Sequence, residues 1–288
     1  MKRKNFSAQS VKSYLNRLKH FLVWLPVPVE EATPVHVKHY LDTLLEKRMD
    51  PKTINERLVA IRSFYRYLRD EEGREITNPA VKGMALRLAK PLPRYLKESE
   101  LDLFLAAISK KRDRALFMML LRCGLRVTEV AGLTLDAIDY RRNQIIVRNG
   151  KGAKDRTTYI SNDAADALAA YLLLRPPTRE QKLFLVEKGI HKGKPLSVRG
   201  IQKGIEYYSR KSGVSVTCHQ LRHTMATQLL NAGADLVSIQ ELLGHTKIET
   251  TMRYSWLSNL KAQNDYYQAM EKIMSGSNII LFDQPTKN

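Results

Sequence analysis

The sequence predicts a mainly α-helical protein with a small β-sheet, arranged as two domains. Three observations support this: helix-spaced apolar faces early in the chain, a break with two prolines at 89–96, and a hairpin pattern further on. A chain of 288 residues, 43% of them hydrophobic, can bury two cores. We therefore expect a helical domain at 1–88, a linker at 89–96, a second α+β domain at 97–275 and a tail at 276–288.

The helices of the first domain are predicted from their caps. Ser7 can cap the first helix, and Thr33 and Asp50 are each followed by a proline, which fits the first helical position. Apolar residues at helical spacing follow each cap. Asn78 and the proline after it end this helical region.

The second domain begins with two helical patterns, one from Ser99 and one from about 112 to 123 that ends at Gly124. Two β-prone runs, 144–148 and 157–160, flank a glycine-rich basic turn, which predicts a hairpin with an exposed tip. Helical patterns resume at residue 164 and continue almost to the end of the chain, and they include a last helix over 257–274.

The chain carries a large excess of positive charge. The formal net charge is +19, with a pI near 9.9, which favours a polyanionic partner such as nucleic acid. Basic residues outnumber acidic ones by 18 to 10 in 1–90 and by 23 to 13 in 91–210, but only by 7 to 6 in 211–288. Arg62, Arg66 and Arg69 give the third helix a basic face, which is either a solvated surface or a contact for phosphates. A generic RNA-binding or ribosome-associated surface remains an alternative.

Several classes of protein are disfavoured. No run of eighteen apolar residues occurs, and no apolar segment follows the basic start, so neither a membrane span nor a secretory signal is predicted. Cys123 and Cys218 lie in apolar surroundings without a CxxC pattern, which predicts reduced, buried thiols in a cytoplasmic protein rather than a disulfide framework or a zinc site.

Two segments place basic side chains near predicted helix ends. His219 and Arg222 are three residues apart and share one face at the start of a helix, where an anion is favoured. A capping histidine and a surface arginine are the alternative. Arg126 follows the end of one helix and precedes the next, and a surface ion pair with Glu129 is its alternative role.

Two further residues have ordinary explanations when taken alone. His245 follows Gly244, a predicted C-capping glycine, and a histidine there is commonly a partner of the helix dipole. Tyr254 comes nine residues later, near the end of a short helical pattern, where tyrosines commonly pack.

The order of these residues is more specific than any of them alone: an arginine, a hairpin lysine, His-x-x-Arg, Gly-His and then a tyrosine. They lie in the segments GLRVTEVAGL (124–133), GKGAKDR (150–156), HQLRHTMATQLLNAGADL (219–236) and LLGHTKIETTMRY (242–254). Together these segments resemble the tyrosine recombinase and integrase family, with the cellular Xer recombinases as the nearest group. The resemblance extends over nearly the whole chain.

The resemblance implies an N-terminal core-binding domain and a catalytic domain that clamp DNA between them. It also implies a role for each candidate residue: Arg126 and Arg222 as phosphate clamps, Lys151 as the mobile catalytic lysine with Lys154 as its alternative, His219 and His245 as further hydrogen-bonding residues, and Tyr254 as the nucleophile. The implied partners are double-stranded DNA with a specific recombination site and three further copies of the chain in a tetramer, or a related recombinase. The tail is expected to contact a neighbouring protomer.

Elementary chemistry agrees with these roles. Two arginines supply paired donors to the oxygens of a phosphodiester in its transition state. A tyrosine, with a reference pKa of about 10, needs a proton acceptor or a cationic pocket to react. A 3′-phosphotyrosyl intermediate conserves the energy of the broken bond, so rejoining needs no ATP. No acidic cluster suited to magnesium accompanies the motifs, and we predict no metal and no cofactor.

The biological role stays open at this point. Resolution of chromosome or plasmid dimers, resolution of transposon cointegrates through a Holliday junction, and phage- or element-type integration use the same residues. The absence of a further domain before Ser7 weighs against arm-binding phage integrases of the larger type. A topoisomerase that relaxes DNA without site preference is a further candidate, as is a catalytically silent DNA-binding regulator. The expected location is the cytoplasm of a bacterium or archaeon, in association with the nucleoid.

Overall fold

The computed structural model describes residues 8–89, 94–148, 155–244 and 259–276. Its contacts divide the chain into two compact units, residues 1–91 and 92–288. The described residues are mostly helical and include a three-stranded sheet, so the predicted fold class is confirmed. None of the helices in these residues is both long enough and apolar enough to cross a membrane.

The described residues of the first unit form three α-helices, α1 (Ala8–Trp24), α2 (Pro34–Glu46) and α3 (Pro51–Asp70), with a short 3-10 helix at Val29–Glu31. Asp50 caps α3 by accepting the N–H groups of Lys52 and Thr53, and the backbone N–H of Thr33 donates to His36 at 3.1 Å. These two predicted caps are confirmed, whereas Ser7 lies outside the described residues. The core consists of residues that these helices bury almost completely: Phe21, Val37, Tyr40, Ile54, Leu58, Ile61 and Tyr65.

The predicted basic face of α3 is only partly a free surface. Arg62 is half-buried and donates to the carbonyls of Ala80 and Val81, so it ties the segment after α3 to the helix. Arg69 pairs with Asp70, and Arg66 is exposed. One of the three arginines therefore has a structural task that its helical spacing did not indicate.

The second unit contains the sheet and the remaining helices. The helices are α4 (Glu98–Ala107), α5 (Lys111–Leu121), α6 (Val127–Gly132), α7 (Asn162–Leu172), α8 (Val198–Ser212), α9 (Cys218–Asn231), α10 (Leu236–Leu243) and α11 (Asn259–Gly276), and the strands are β1 (Ile138–Asp139), β2 (Gln144–Val147) and β3 (Arg156–Tyr159).

The sheet is antiparallel in the order β1-β2-β3. Val147 pairs with Arg156 at the end of the β2–β3 ladder, so the predicted hairpin strands are confirmed, while the turn at 149–154 lies outside the described residues. Strand β1 was not predicted, because two residues are too few to show a strand period.

Helix α5 forms the centre of this unit. Its residues from Ala115 to Leu121 are all buried, and it packs against α7 and α9. The N–H of Leu96, the last residue of the predicted linker, donates to the buried hydroxyl of Thr224 in α9 at 2.9 Å, and the Leu96 side chain is buried in the same core. Cys123 is buried as predicted, but Cys218 is only half-buried; burial raises the pKa of Cys123 to about 12 and that of Cys218 to about 11.

The prediction of continuous helix after residue 164 is wrong for 173–197. Helix α7 ends at Leu172, and Pro176 and Pro177 follow shortly, which cannot continue a helix. The chain then runs in an irregular conformation in which Leu183 to Leu185 are buried. The hydroxyl of Tyr171 accepts the N–H of Leu185 and donates to the carbonyl of Leu183, both at 3.1 Å. The apolar residues of this segment are therefore buried in the core without forming a helix.

Candidate active site

The structure describes three of the six candidate site residues, Arg126, His219 and Arg222. The other three, Lys151, His245 and Tyr254, lie outside the described residues, as does the alternative lysine Lys154. The described part of the site is nevertheless well defined, because three arginines meet at the C-terminal end of α10.

Helix α10 ends at Gly244, whose backbone is in the left-handed conformation. Asp235 caps its start, and Gly244, with φ of 60°, ends it by donating its N–H to the carbonyls of Gln240 and Glu241. The carbonyls of Leu242, Leu243 and Gly244 are then left for other donors, as is usual for the last turn of a helix.

Each of these three carbonyls accepts a bond from a different arginine. Nε of Arg156 donates to Leu242 at 3.0 Å, Nη2 of Arg222 donates to Leu243, and Nη2 of Arg126 donates to Gly244 at 2.9 Å. The negative end of the helix dipole favours cations at this point. The end of α10 thus brings together side chains from the N-terminus of α6, the start of β3 and the second turn of α9.

Arg222 is buried, with 4% of its surface exposed, so the alternative of a surface arginine is wrong. Its Nη1 donates to the carbonyl of Gly124, a glycine with φ of 61°. A Cβ atom at Gly124 would lie 2.5 Å from the sulfur of Met225. The backbone conformation therefore favours glycine here, and a larger residue would also have to displace the Met225 side chain.

Glu129 lies between two of the arginines. One carboxylate oxygen accepts Nη1 of Arg126 at 2.8 Å and the other accepts the backbone N–H of Arg126 at 2.7 Å. Arg156 donates from Nη1 and Nη2 to the same two oxygens, each at 2.8 Å. The Arg126–Glu129 ion pair therefore exists, but the Glu129 side chain is only 9% exposed, so it is not a surface pair.

The electrostatics of Glu129 follow from these contacts. Burial alone would raise its pKa, but the hydrogen bonds from Arg156 and Arg126, together with the charge of Arg156, lower the pKa to about 2. Glu129 is thus ionised at neutral pH and fixes both guanidinium groups.

Arg156 was missed as a site residue, although it lies within the segment GKGAKDR. The signal that reveals it is the two-residue period of β3, in which Arg156 and the buried Thr158 point to the same side of the sheet. An arginine that faces inward must be paired. It also contacts Gly244, where a Cβ atom would lie 2.8 Å from Cδ of Arg156.

His219 lies at the second position of α9, and Thr217 caps that helix by accepting the N–H of Gln220 at 3.2 Å. The His219 side chain is exposed, and the centroid of its imidazole lies 5.5 Å from that of His223. Partial burial and the positive charges of Arg222 and Arg126 lower the pKa of His219 below its ordinary value. A neutral imidazole at pH 7 can accept a proton.

We call Arg126, Arg156, Arg222 and Glu129 the arginine cluster. Arg126 and Arg156 share the carboxylate of Glu129, and Arg222 donates to main-chain carbonyls beside them, so these four side chains together carry a net positive charge. Arg126 has 21% of its side chain exposed and can reach a ligand. An arrangement of this kind can bind a phosphate oxygen through donors that are already oriented.

Comparison with known proteins identifies the family. The phage integrase family matches residues 94–260, more than half of the chain, and the N-terminal SAM-like domain of phage integrases matches residues 1–72. Tyrosine recombinase XerA of Thermococcus kodakarensis is 32% identical over 93% of this chain and 92% of its own length. Tyrosine recombinase XerC of Bacillus subtilis is 33% identical, with 91% and 90% covered.

Solved structures support the same assignment. The crystal structure of XerA recombinase is 29% identical, with a TM-score of 0.56 and 93% of this chain and 94% of that one covered. The Tn1549 transposon integrase, solved in complex with circular intermediate DNA, shares the fold at 23% identity, with a TM-score of 0.72 and 88% and 91% covered. The chain therefore belongs to the phage integrase family of tyrosine recombinases.

Proposed function

We propose that this site-specific DNA recombinase breaks and rejoins strands with Tyr254 as the nucleophile and with Arg126 and Arg222 as clamps of the scissile phosphate. The observation that carries the proposal is the arginine cluster, in which two guanidinium groups share the carboxylate of Glu129 and the buried Arg222 lies at the same helix end. The transition state of a phosphodiester concentrates negative charge on its non-bridging oxygens, and paired guanidinium donors stabilise that charge.

The remaining candidate residues have roles in proton transfer and in binding the phosphate. Neutral His219 accepts the proton of the Tyr254 hydroxyl as the hydroxyl oxygen attacks phosphorus, and His245 hydrogen-bonds the phosphate. The bond from phosphorus to the 5′ oxygen breaks, and Lys151 or its neighbour Lys154 protonates that oxygen. The product is a 3′-phosphotyrosyl bond, and a second strand reverses the reaction to form a Holliday junction. No metal or cofactor takes part in these steps.

The partner is double-stranded DNA with a specific recombination site, bound by four copies of this chain or by this chain with a related recombinase. The names of the Xer relatives and the DNA complexes of the structural neighbours support a DNA partner. Helix α11 supports the protomer contact, because four of its large apolar side chains are more than half exposed: Tyr266, Tyr267, Ile273 and Met274.

The role that we favour is resolution of chromosome or plasmid dimers or of transposon cointegrates, in the cytoplasm and on the nucleoid. Integration of a phage or another element is the alternative with the same chemistry. The two differ in substrate, so recombination of two sites in one plasmid, compared with one site in each of two DNA molecules, distinguishes them.

The proposed chemistry is tested with a suicide duplex that carries a nick next to the crossover point. The wild-type protein is expected to form a covalent DNA adduct that resists SDS, and Tyr254→Phe is expected to form none. Tyr266→Phe, on exposed α11, is the matched control and keeps the adduct. An equal adduct yield from Tyr254→Phe contradicts the assignment, and specific binding without any adduct supports a silent regulator instead.

The tetramer is tested separately. Deletion of 276–288 is expected to leave binding to a single site intact and to abolish cooperative synapsis, measured by gel mobility of paired-site complexes. Full recombination by the truncated protein contradicts the tail contact.

A further inference from the structure

We infer that Arg156 is a positioning residue of the strand-transfer site, which acts through Glu129 on Arg126 and through the Leu242 carbonyl on the end of α10. This inference rests on the proposed role of Arg126 as a phosphate clamp. It assigns a function to the arginine that begins β3.

The first step is the bridge through Glu129. Arg156 donates from Nη1 and Nη2 to the two oxygens of this carboxylate, a fork geometry that only arginine provides. The same oxygens hold the side chain and backbone N–H of Arg126. Arg156 thereby fixes the carboxylate that fixes the Arg126 guanidinium.

The second step is the contact with α10. Nε of Arg156 donates to Leu242, and its Cδ lies where a Cβ atom at Gly244 would approach to 2.8 Å. Arg126 donates to the carbonyl of Gly244, so the two arginines hold adjacent parts of one turn. One side chain on the hairpin therefore sets the end of the helix after which the proposed His245 and Tyr254 follow in the chain.

Arg156 acts indirectly. The Arg156 side chain is 10% exposed and forms an ion pair with Glu129, whereas the Arg126 side chain is 21% exposed. A lysine at position 156 keeps the charge but cannot make two parallel bonds to Glu129 and a third to Leu242. The variant Arg156→Lys is therefore expected to alter geometry and not net charge.

The same unit offers a matched control. Arg112 is 12% exposed, donates from Nε and Nη2 to Asp113 at 2.8 and 2.6 Å, and donates from Nη1 to the carbonyl of Leu185 at 3.1 Å. It lies at the start of α5, whose other end leads to Gly124, and a helix of this length spans about 16 Å. Arg112→Lys removes the same kinds of bond without touching the arginine cluster.

The test is single-turnover cleavage of the nicked duplex by the full-length wild type, Arg156→Lys, Arg112→Lys, Arg126→Lys and the double variant at 126 and 156. DNA affinity and thermal unfolding are measured on each protein. Arg156→Lys is expected to slow cleavage about tenfold or more at saturating DNA, because small misplacements of catalytic groups are costly, with Kd changed less than about twofold. Arg112→Lys is expected to lose comparable stability and to keep the wild-type rate.

The double variant separates positioning from general loss of structure. Because one route of Arg156 runs through Arg126, the double variant is expected to lose less than the product of the two single losses, since coupled residues are not additive. Glu129→Gln breaks the bridge at its other end and is expected to slow cleavage to a similar extent as Arg156→Lys, which keeps the test decisive even where the latter folds poorly.

Multiplicative losses in the double variant, a wild-type rate in Arg156→Lys or in Glu129→Gln, or an equal slowing by Arg112→Lys each overturn the inference. Absence of any adduct with the wild-type protein overturns the proposed function instead, so the two failures are distinct.

Discussion

Among the described residues of the second unit, two buried groups of arginines and carboxylates can be compared, and they differ in charge balance. In the Arg112 network, made of Arg112, Asp113, Glu187 and Tyr208, one guanidinium pairs with Asp113 at 2.6 Å and with Glu187 at 3.9 Å, and the tyrosine hydroxyl donates to Asp113 at 3.1 Å. In the arginine cluster, Arg126 and Arg156 share Glu129, and all three arginines donate to main-chain carbonyls at the end of α10.

The comparison shows what separates a structural network from a site. Both groups satisfy the rule that buried charges are paired and hydrogen-bonded. The Arg112 network has no excess of positive charge, so an added anion would have little to gain there. The arginine cluster holds excess positive charge against the weak negative end of a helix, and a bound phosphate would neutralise it. Charge balance, more than burial, thus indicates function.

The largest expected difference between the two groups is in catalysis. Arg222→Ala is expected to reduce single-turnover cleavage by on the order of 10³-fold, since it removes one of the two proposed phosphate clamps. Arg112→Ala is expected to keep the cleavage rate while losing about 3–5 kcal/mol of stability, because Asp113 is left unpaired. Rate and thermal unfolding are measured on both proteins. Equal loss of cleavage in the two variants would show that the distinction between the groups is wrong.

The second prediction concerns pH, since the Arg112 network has no counterpart of His219. The pKa of His219 lies below its ordinary value of about 6.5. The imidazole is therefore neutral above about pH 6.5 and becomes protonated only at lower pH. The cleavage rate is expected to hold from pH 8 to about 6.5 and to decline below. His219→Gln is expected to cleave about 10²-fold more slowly and to lose that decline. An unchanged acid limb in this variant would remove His219 from the role of proton acceptor.

The third prediction concerns stability against pH. Because the folded-state pKa of Glu129 is depressed to about 2, its charge stabilises the fold above the unfolded pKa of about 4.5, and this contribution is lost as the pH falls from there towards 2. The difference in unfolding free energy between wild type and Glu129→Gln should be up to about 3 kcal/mol at pH 6 and should shrink towards pH 2. Denaturant unfolding at several pH values measures it, and a constant difference contradicts the ion-pair account.

The smallest expected effect is on the stability and cleavage rate of variants that alter the contact between α10 and Arg156. Gly213 and Gly244 both end helices with positive φ, but a Cβ atom at Gly213 meets nothing within 4 Å. Gly213→Ala should therefore cost about 1 kcal/mol from backbone strain alone. Gly244→Ala should cost more and should also slow cleavage, because it displaces Arg156. Equal stability losses with unchanged cleavage would mean that Arg156 adapts without consequence.

Much of the fold was predictable because its signals are local. A helix cap such as Asp50 and the two strands that flank 149–155 are determined by residues close in sequence. The helices and hairpin strands predicted from these local signals are present in the structure. The helix expected across 173–197 failed because the buried residues Leu183 to Leu185 pack as irregular chain held by Tyr171, a tertiary effect without helical periodicity.

The site was predictable only in part. The motif order indicated Arg126, His219 and Arg222, but not that Arg222 is buried or that three arginines meet at the end of α10. Bonds from side chains to main-chain carbonyls join positions far apart in sequence and depend on backbone geometry rather than on residue type. For this reason Arg156, one basic residue in a basic hairpin, was recognised only from the structure.

The central claim is that the arginine cluster presents a phosphate to Tyr254, and the most direct measurement is to locate the covalent bond. The adduct formed on the nicked duplex is digested with nuclease and trypsin, and the nucleotide-bearing peptide is identified by mass spectrometry. The account predicts the modification on the peptide that ends at Lys261, in which Tyr254 is the single tyrosine. Modification of the next peptide, 262–272, at Tyr266 or Tyr267 would contradict it.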